Sequence, residues 1–376
     1  MAIGEPVAAI KDQPMTAAAH DDAAEATQNS TATVPGSAAA PSGKHLPTLA
    51  DVAQFAGVSS ATASRVLTGS ARVRPHTRHR VEEAMARLGY VRQRAARAAD
   101  SRRTGSIAFV ACEENVKVFA DPFFARMLWS VSKELGSADL QLVLLTLHSP
   151  RDCQTVARYL RGGHVDGALF VSMHGRLPLD PASLGIPLML CGRPARGGEG
   201  LSYVDADNVG GAELAVQHLI GTARTAIATI AGPPDMGAGI DRLLGYRKAM
   251  ASARSYDPGM IAYGDFTRMS GEHATYRLLD HRPHLDAIFA ASDLMAAGAL
   301  RALRRTGRRV PDDVALIGFD DSPLAQHTEP ALSTVRQPAD AMATRMTREL
   351  LALIARSGRE PVRVVLDTEL VLRDSA

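Results

Sequence analysis

The stretch over residues 48–90, TLADVAQFAGVSSATASRVLTGSARVRPHTRHRVEEAMARLGY, constrains the fold more tightly than any other part of the chain. Leu49, Val52, Ala53, Ala56, Val58, Ala63, Val66, Val81, Met85 and Leu88 recur at three- and four-residue spacings that close one very small core. The pattern predicts helices over about residues 49–56, 60–67 and 75–88. Thr48 with Asp51 three residues on is a capping-box start, Gly57 supplies the left-handed residue that ends the first helix, and Ser59 caps the second. Two helices joined by so short a turn form a helix-turn-helix. Outward on the second helix stand Ser60, Ala61, Ser64 and Arg65. Small polar groups let a helix sink into a DNA major groove, where one guanidinium reaches guanine O6 and N7 together. The same spacing also suits a three-helix bundle with a solvated basic face.

Charge separates the two readings. The chain has 376 residues and a net charge of +2, but residues 1–46 carry −3, residues 47–104 carry +7 and residues 105–376 carry −2. A basic block confined to the helical segment and the residues behind it is the footprint of a phosphate-binding surface. Cys112, Cys153 and Cys191 form no CxxC pair and no Cys/His cluster, and are expected to be small buried residues in a reducing compartment. No segment approaches the roughly 20 apolar residues of a membrane span, and the N-terminus lacks a basic-then-apolar signal pattern. A cytoplasmic protein without membrane contact, metal or cofactor is expected.

In chain order, residues 1–46 are rich in Ala, Thr, Ser and Pro and are expected to form a disordered extension. The DNA-binding domain follows at 47–90, then a hinge or linker at 91–105 with a run, VRQRAARAADSRRT, of alanines and arginines. Residues 106–376 alternate short apolar runs with amphipathic segments. Strands are predicted at 107–111, 140–147, 168–172, 187–191, 226–231, 287–291 and 314–319. Helices are predicted at 122–135, 151–160, 209–220, 241–252, 270–279, 294–305 and 339–354. This repetition gives an α/β body with parallel sheets, long enough to divide into two similar lobes facing across a cleft. Ligands of such sheets sit beyond the carboxyl ends of the strands.

Several groups stand at those ends: Asp121-Pro122-Phe123-Phe124, Ser172-Met173-His174, Arg242 beyond Gly232-Pro233-Pro234, Ser292-Asp293 and Asp320-Asp321, while Gly264-Asp265-Phe266 precedes a helix. Aromatic faces cover the C–H face of a sugar, and charged groups bond its hydroxyls. Each residue alone also has a structural reading: Asp293 and Asp321 as helix caps, Arg242 as an ion-pair partner, Phe266 as core.

TLADVAQFAGVSSATASRVLTG with RVEEAMARLGY and the basic linker resembles the DNA-binding head of the LacI/GalR family of bacterial repressors. The likeness continues through DPFF, HVDGALFVS, YVDADN, IAGPPDMGAGIDRLLGY, GDFTRMSG, FAASDLMAAGALRAL, VPDDVALIGFDDSPL and STVRQP. It implies an all-α helix-turn-helix head joined by a hinge to a two-lobed, periplasmic-binding-protein-like body. It also implies a homodimer, with a tetramer as the alternative, on a pseudo-palindromic operator. By resemblance, Ser60, Ala61 and Arg65 occupy base-reading positions, Thr48, Ser59 and Ser64 contact phosphate, and Phe123, Arg242, Phe266, Ser292 and Asp320 bind an effector, with His174 and Gln337 as further candidates. The family's second effector aromatic is replaced by Ala339. The hinge departs too: Arg92-Gln93 stand where a proline–asparagine pair is usual, and Ala99 where a leucine wedges between base pairs. Arg94 and Arg97 are left to hold the minor groove electrostatically, and Arg74, in place of a serine cap, to meet a phosphate.

A repressor released from its operator by a sugar-like effector is therefore expected; a purine-dependent corepressor and a sugar receptor are the alternatives. An enzyme is not expected. Asp320 and Asp321 are adjacent at a strand end and point in different directions, which does not flank a glycosidic bond, and no phosphate loop, metal cluster or activated nucleophile is apparent.

Overall fold

The computed structural model of the chain describes residues 48–67, 69, 70, 73–88, 90, 103–175, 179–355 and 360–376. The chain divides into two compact units, residues 1–92 and 93–376. Of the sequence-based expectations, the extension at 1–46 and hinge residues Arg94, Arg97 and Ala99 fall outside the described residues.

The first unit holds α1 (Leu49–Phe55), α2 (Ser60–Leu67) and α3 (Pro75–Leu88). The capping box forms as the sequence predicts: the Asp51 amide donates to Thr48 Oγ1 at 3.3 Å and the Thr48 amide to the Asp51 carboxylate at 2.7 Å. Gly57 takes a φ of +62°, ending α1. Arg80 on α3 then donates to the Ala56 carbonyl, so the end of α1 is satisfied by the third helix. Val52, Ala53, Ala56, Ala63, Val66, Val81 and Ala84 form the buried centre of this small core.

The second unit has two six-stranded lobes. In the first lie β1 (Ser106–Ala111), α4 (Asn115–Ala120), α5 (Pro122–Ser137), β2 (Gln141–Thr146), α6 (Pro150–Arg161), β3 (Gly167–Val171), α7 (Pro181–Leu184), β4 (Leu188–Cys191) and β5 (Tyr203–Ala206). The second lobe contains α8 (Asn208–Gly221), β6 (Ile227–Ala231), α9 (Gly237–Ser252), β7 (Ile261–Tyr263), α10 (Arg268–His281), β8 (Ala287–Ala290), α11 (Asp293–Arg305), β9 (Ala315–Asp320), α12 (Pro323–Gln326) and β10 (Ser333–Arg336). The chain then returns to the first lobe for α13 (Ala339–Ala355) and β11 (Arg363–Leu366), and ends in the second with β12 (Glu369–Val371). The sheet orders are β11-β5-β4-β3-β1-β2 and β12-β10-β9-β8-β6-β7. All the pairings are parallel except β10 with β12, whose register sets Thr334 opposite Val371.

Central strands β1, β3, β6 and β8 are buried on both faces, which is why they are continuous apolar runs in the sequence. Phe109, Leu169 and Met189 meet Met342, Met346 and Leu350 of α13 in one core of the first lobe. Ala212, Leu219, Tyr246, Phe289 and Phe319 build a core of the second lobe. Cys112 and Cys191 are buried free thiols, and burial pushes Cys112 up to about 12; Cys153 is only half-buried.

The chain passes between lobes three times, after β5, after β10 and after β11. The outer two passages are tied together: the Asp207 amide donates to the Leu366 carbonyl at 2.8 Å, and Thr368 Oγ1 to the Asp207 carbonyl at 3.2 Å.

Helices α8 and α9 touch backbone to backbone at Gly245, where an added Cβ would stand 2.3 Å from the Val209 carbonyl oxygen. Gly245→Ala should therefore overpack this contact and destabilise the second lobe by about 1–3 kcal/mol. Urea unfolding followed by circular dichroism reads the effect as a lower midpoint; an unchanged midpoint would mean that α9 moves aside freely.

Candidate functional site

On the head, α2 presents Ser60, Ala61 and Arg65 as exposed and Ser64 as half-buried. Thr48 and Ser59 are exposed at the starts of α1 and α2. Their hydroxyls serve as caps: Ser59 Oγ accepts from the Thr62 amide at 3.2 Å, as Thr48 does from Asp51. Arg74 holds the start of α3 through its carbonyl, which accepts from the Thr77 and Arg78 amides at 3.0 and 3.1 Å, while its side chain is exposed.

In the body, a cavity of about 380 Å³ opens between the lobes at the carboxyl ends of both sheets. Its centre is Arg242, on α9 and only 4% exposed. Nε donates to Asn208 Oδ1 at 2.9 Å, Nη1 to the Ala291 carbonyl at 2.7 Å and to Asp320 Oδ1 at 3.2 Å, and Nη2 to Gln337 Oε1 at 2.9 Å. The guanidinium carbon lies 3.7 Å from the Phe319 ring centroid and 5.8 Å from that of Phe266. One guanidinium thus gathers the start of α8 and the ends of β8, β9 and β10.

Asp320 reaches Arg242 from a backbone with φ of +115°, a conformation that costs a residue with a Cβ about 1–3 kcal/mol and persists only where surroundings enforce it. Burial pushes the Asp320 carboxyl well above the ordinary range while Arg242 pulls it down, and Asp293 and Asp121 add repulsion. Burial likewise lowers Arg242, with Asp320 and Asp205 opposing.

Phe123, Arg242, Phe266, Ser292, Asp320 and Gln337 all line the cavity. Phe123 is set by Asp121, whose carboxylate accepts from the Phe123 amide at 2.9 Å, and its ring meets Phe124 edge to face at 5.6 Å. Phe266, at φ of +67°, presses its ring onto Gly232, where a Cβ would stand 2.4 Å from the ring. The Ser292 hydroxyl caps α11 through the Met295 amide at 3.2 Å. His174 is the exception: it lies outside the cavity lining, bonded to Glu113 and Asp235.

Asp293 and Asp321 have structural roles. The buried Asp293 carboxylate accepts from Thr334 Oγ1 at 2.5 Å and from the Ser322 amide at 2.7 Å. Asp321 points away from Asp320 and pairs with Arg336 at 2.8 Å and Arg373 at 2.6 Å. The lining also includes Glu113, Lys117, Arg193, Asp205 and Asn208, none of which the sequence reading placed there. Asp205 and Asn208 do fall in the YVDADN motif, but β5 is a strand of only four residues. The Asp205 carboxylate accepts from the Arg193 amide at 2.9 Å and from Asn208 Nδ2 at 3.0 Å, tying two cavity loops together.

Among the described residues no cluster of three or more His, Cys, Asp or Glu could hold a metal ion, and no helix is long and apolar enough to cross a membrane.

Comparison with known proteins agrees with this two-part organisation. Residues 48–93 match the profile of bacterial regulatory proteins of the lacI family, and residues 216–376 that of a periplasmic binding protein-like domain. The HTH-type transcriptional regulator CelR of Thermobifida fusca is 48% identical over 334 residues, which is 88% of this chain and 98% of that protein. The HTH-type transcriptional repressor CytR of Escherichia coli K12 is 32% identical over 335 residues, 87% of this chain and 96% of that one. A solved complex of the transcriptional regulator CelR with cellobiose superposes with a TM-score of 0.71 at 46% identity, covering 88% of this chain and 100% of that chain. The lac repressor dimer bound to operator and the anti-inducer ONPF gives 0.76 at 25% identity, covering 88% and 99%. With the helix-turn-helix, the two-sheet body and likeness along nearly the whole length of these regulators, the chain belongs to the LacI family of bacterial DNA-binding transcriptional regulators and is not an enzyme.

Proposed function

We propose that the protein is a homodimeric repressor that leaves a pseudo-palindromic operator when a sugar-like effector fills the interlobe cavity. The observation that carries this reading is the buried Arg242–Asp320 pair at the cavity's centre, beside the Phe266 ring. A ligand with many hydroxyls both donates to the carboxylate and accepts from cationic groups, while its C–H faces cover Phe123 and Phe266. Further support comes from the CelR–cellobiose complex, a structure 46% identical to this chain. The lac repressor dimer supports the homodimer in the same way. An effector that touches both lobes, Phe123 on one and Arg242 and Phe266 on the other, favours the arrangement in which they are close.

Fluorescence anisotropy on operator DNA tests this with cellobiose as probe. Cellobiose should lower operator affinity, and Asp320→Asn should abolish the response while leaving DNA binding in its absence intact. If sugars are inert and adenine or hypoxanthine tightens operator binding, the sugar reading fails.

In this reading α2 enters the major groove with Ser60, Ala61 and Arg65 at the bases, Thr48, Ser59, Ser64 and Arg74 near phosphates, and Arg94 and Arg97 near the minor groove. Arg65→Ala should cost about 1–3 kcal/mol of operator binding and relax preference at one base pair. Binding measured across a library of operator variants would instead fall uniformly if Arg65 only anchors the phosphate backbone.

A further inference from the structure

His174 stands after β3 in the first lobe, and each of its ring nitrogens faces a carboxylate. Nε2 lies 3.0 Å from Oε1 of Glu113, which follows β1 in the same lobe. Nδ1 lies 3.1 Å from Asp235, in the loop between β6 and α9 of the other lobe. Ionised carboxylates only accept hydrogen bonds, and a neutral imidazole donates from one nitrogen alone. This geometry is satisfied at both ends only by the imidazolium. A neutral ring would turn a lone pair toward one of the carboxylates.

We propose that His174 is a positioning residue of the effector response: its protonated ring clasps Asp235 across the cleft and holds the two lobes together. The inference rests on the reading of the cleft as a site that closes on its ligand. The backbone reinforces the contact, since the Gly175 amide donates to the Asp235 carbonyl at 2.6 Å. Glu113 is buried and within the first lobe, so it stays with His174 whether the lobes are close or apart, whereas Asp235 meets the ring only when they are close.

The charged groups around the clasp are Glu113, Asp235 and Lys117, whose ammonium lies 3.5 Å from Glu113 and 4.0 Å from Asp265 of the second lobe. Asp121 also feels the Glu113 charge. A second interlobe ion pair joins Arg193 of the first lobe to Asp241 of the second. The Glu113 hydrogen bond raises His174 above its ordinary value of 6.5, against desolvation, and Asp235 raises it further. Desolvation resists ionisation of Glu113, but His174 and Lys117 lower it overall, so it is the charged acceptor the clasp needs.

The sign follows from linkage. The ring's affinity for its proton is higher with the lobes together, because only then does Asp235 contribute. The clasp is at full strength below the value His174 has with the lobes apart, and it is lost as pH rises through the higher value it has with them together.

The test uses the full chain, with cellobiose titrated calorimetrically between about pH 6 and pH 8.5. In parallel, pulsed-EPR distances are measured without ligand between labels at Arg158→Cys and Lys248→Cys, one on each lobe, in a Cys153→Ser background. Wild type should bind cellobiose several-fold more weakly at the upper pH and show a longer interlobe distance there. Asp235→Asn, at a half-exposed site that folding tolerates, should flatten both profiles, and His174→Gln should do the same. A wild-type profile flat in both readouts, or one that Asp235→Asn leaves unchanged, overturns the clasp. If cellobiose binds at no pH, the sugar reading fails while the ligand-free distances still decide: lengthening with pH sustains the clasp, and constancy overturns it.

Discussion

The buried guanidinium of Arg242 is the constraint on which the body depends. Withdrawing a cation from water costs several kcal/mol unless its N–H groups find acceptors, and an interior lacking them excludes the charge. Here the acceptors come from four places far apart in sequence, Asn208, Ala291, Asp320 and Gln337, so satisfying one side chain fixes where four segments end. The ends of β8, β9 and β10 and the start of α8 cannot move independently without leaving that charge unpaired. The strained backbone at Asp320 is part of the same arrangement: the carboxylate reaches inward because the guanidinium is there to receive it.

Rigid support for the cavity comes from close backbone approach. Phe266 rests on Gly232, and Gly237 brings α9 against the Arg193 carbonyl of the opposite lobe, where a Cβ would stand 2.2 Å from the oxygen. These glycines matter for the absence of a side chain, which is why the segment MGAGID, poor in helix propensity, nevertheless begins a helix. The sequence reading starts that helix at residue 241, because two glycines in the four residues before it weaken the local helix signal.

The head was legible almost to the residue because its signals are local. Caps, a left-handed glycine and helical periodicity all lie within a few positions of the atoms they control. The long buried strands were legible for the same reason. By contrast, β5, β7, β10, β11 and β12 are three or four residues long and exist because a neighbouring strand supplies their hydrogen bonds. Around the cavity, Arg242, Asp320 and Phe123 could be nominated from their positions after recognisable strands, and Phe266 from its place before a predicted helix. Asp205 lies in, and Asn208 just after, a strand that could not be recognised, and Glu113 and Lys117 belong to a six-residue helix and its approach that no periodicity announces. His174 was nominated for standing after β3, but position after a strand does not say whether a side chain turns into the cavity or across its rim.

The two kinds of interlobe connection have different physical characters. The three covalent passages, two of them hydrogen-bonded to each other through Asp207, Leu366 and Thr368, remain whatever the lobes do and define where bending can occur. The side-chain contacts across the cleft, His174 with Asp235, Lys117 with Asp265 and Arg193 with Asp241, exist only when the lobes meet. A ligand shifts the balance between arrangements only by binding one of them better. Contacts at the rim set that balance before any ligand arrives; each pair keeps one partner partly exposed to water, which screens it, so each contributes modestly and none locks the body. A body held together by several weak charged contacts around a polar cavity responds to a small ligand in a way that a large apolar interface between the lobes would not allow.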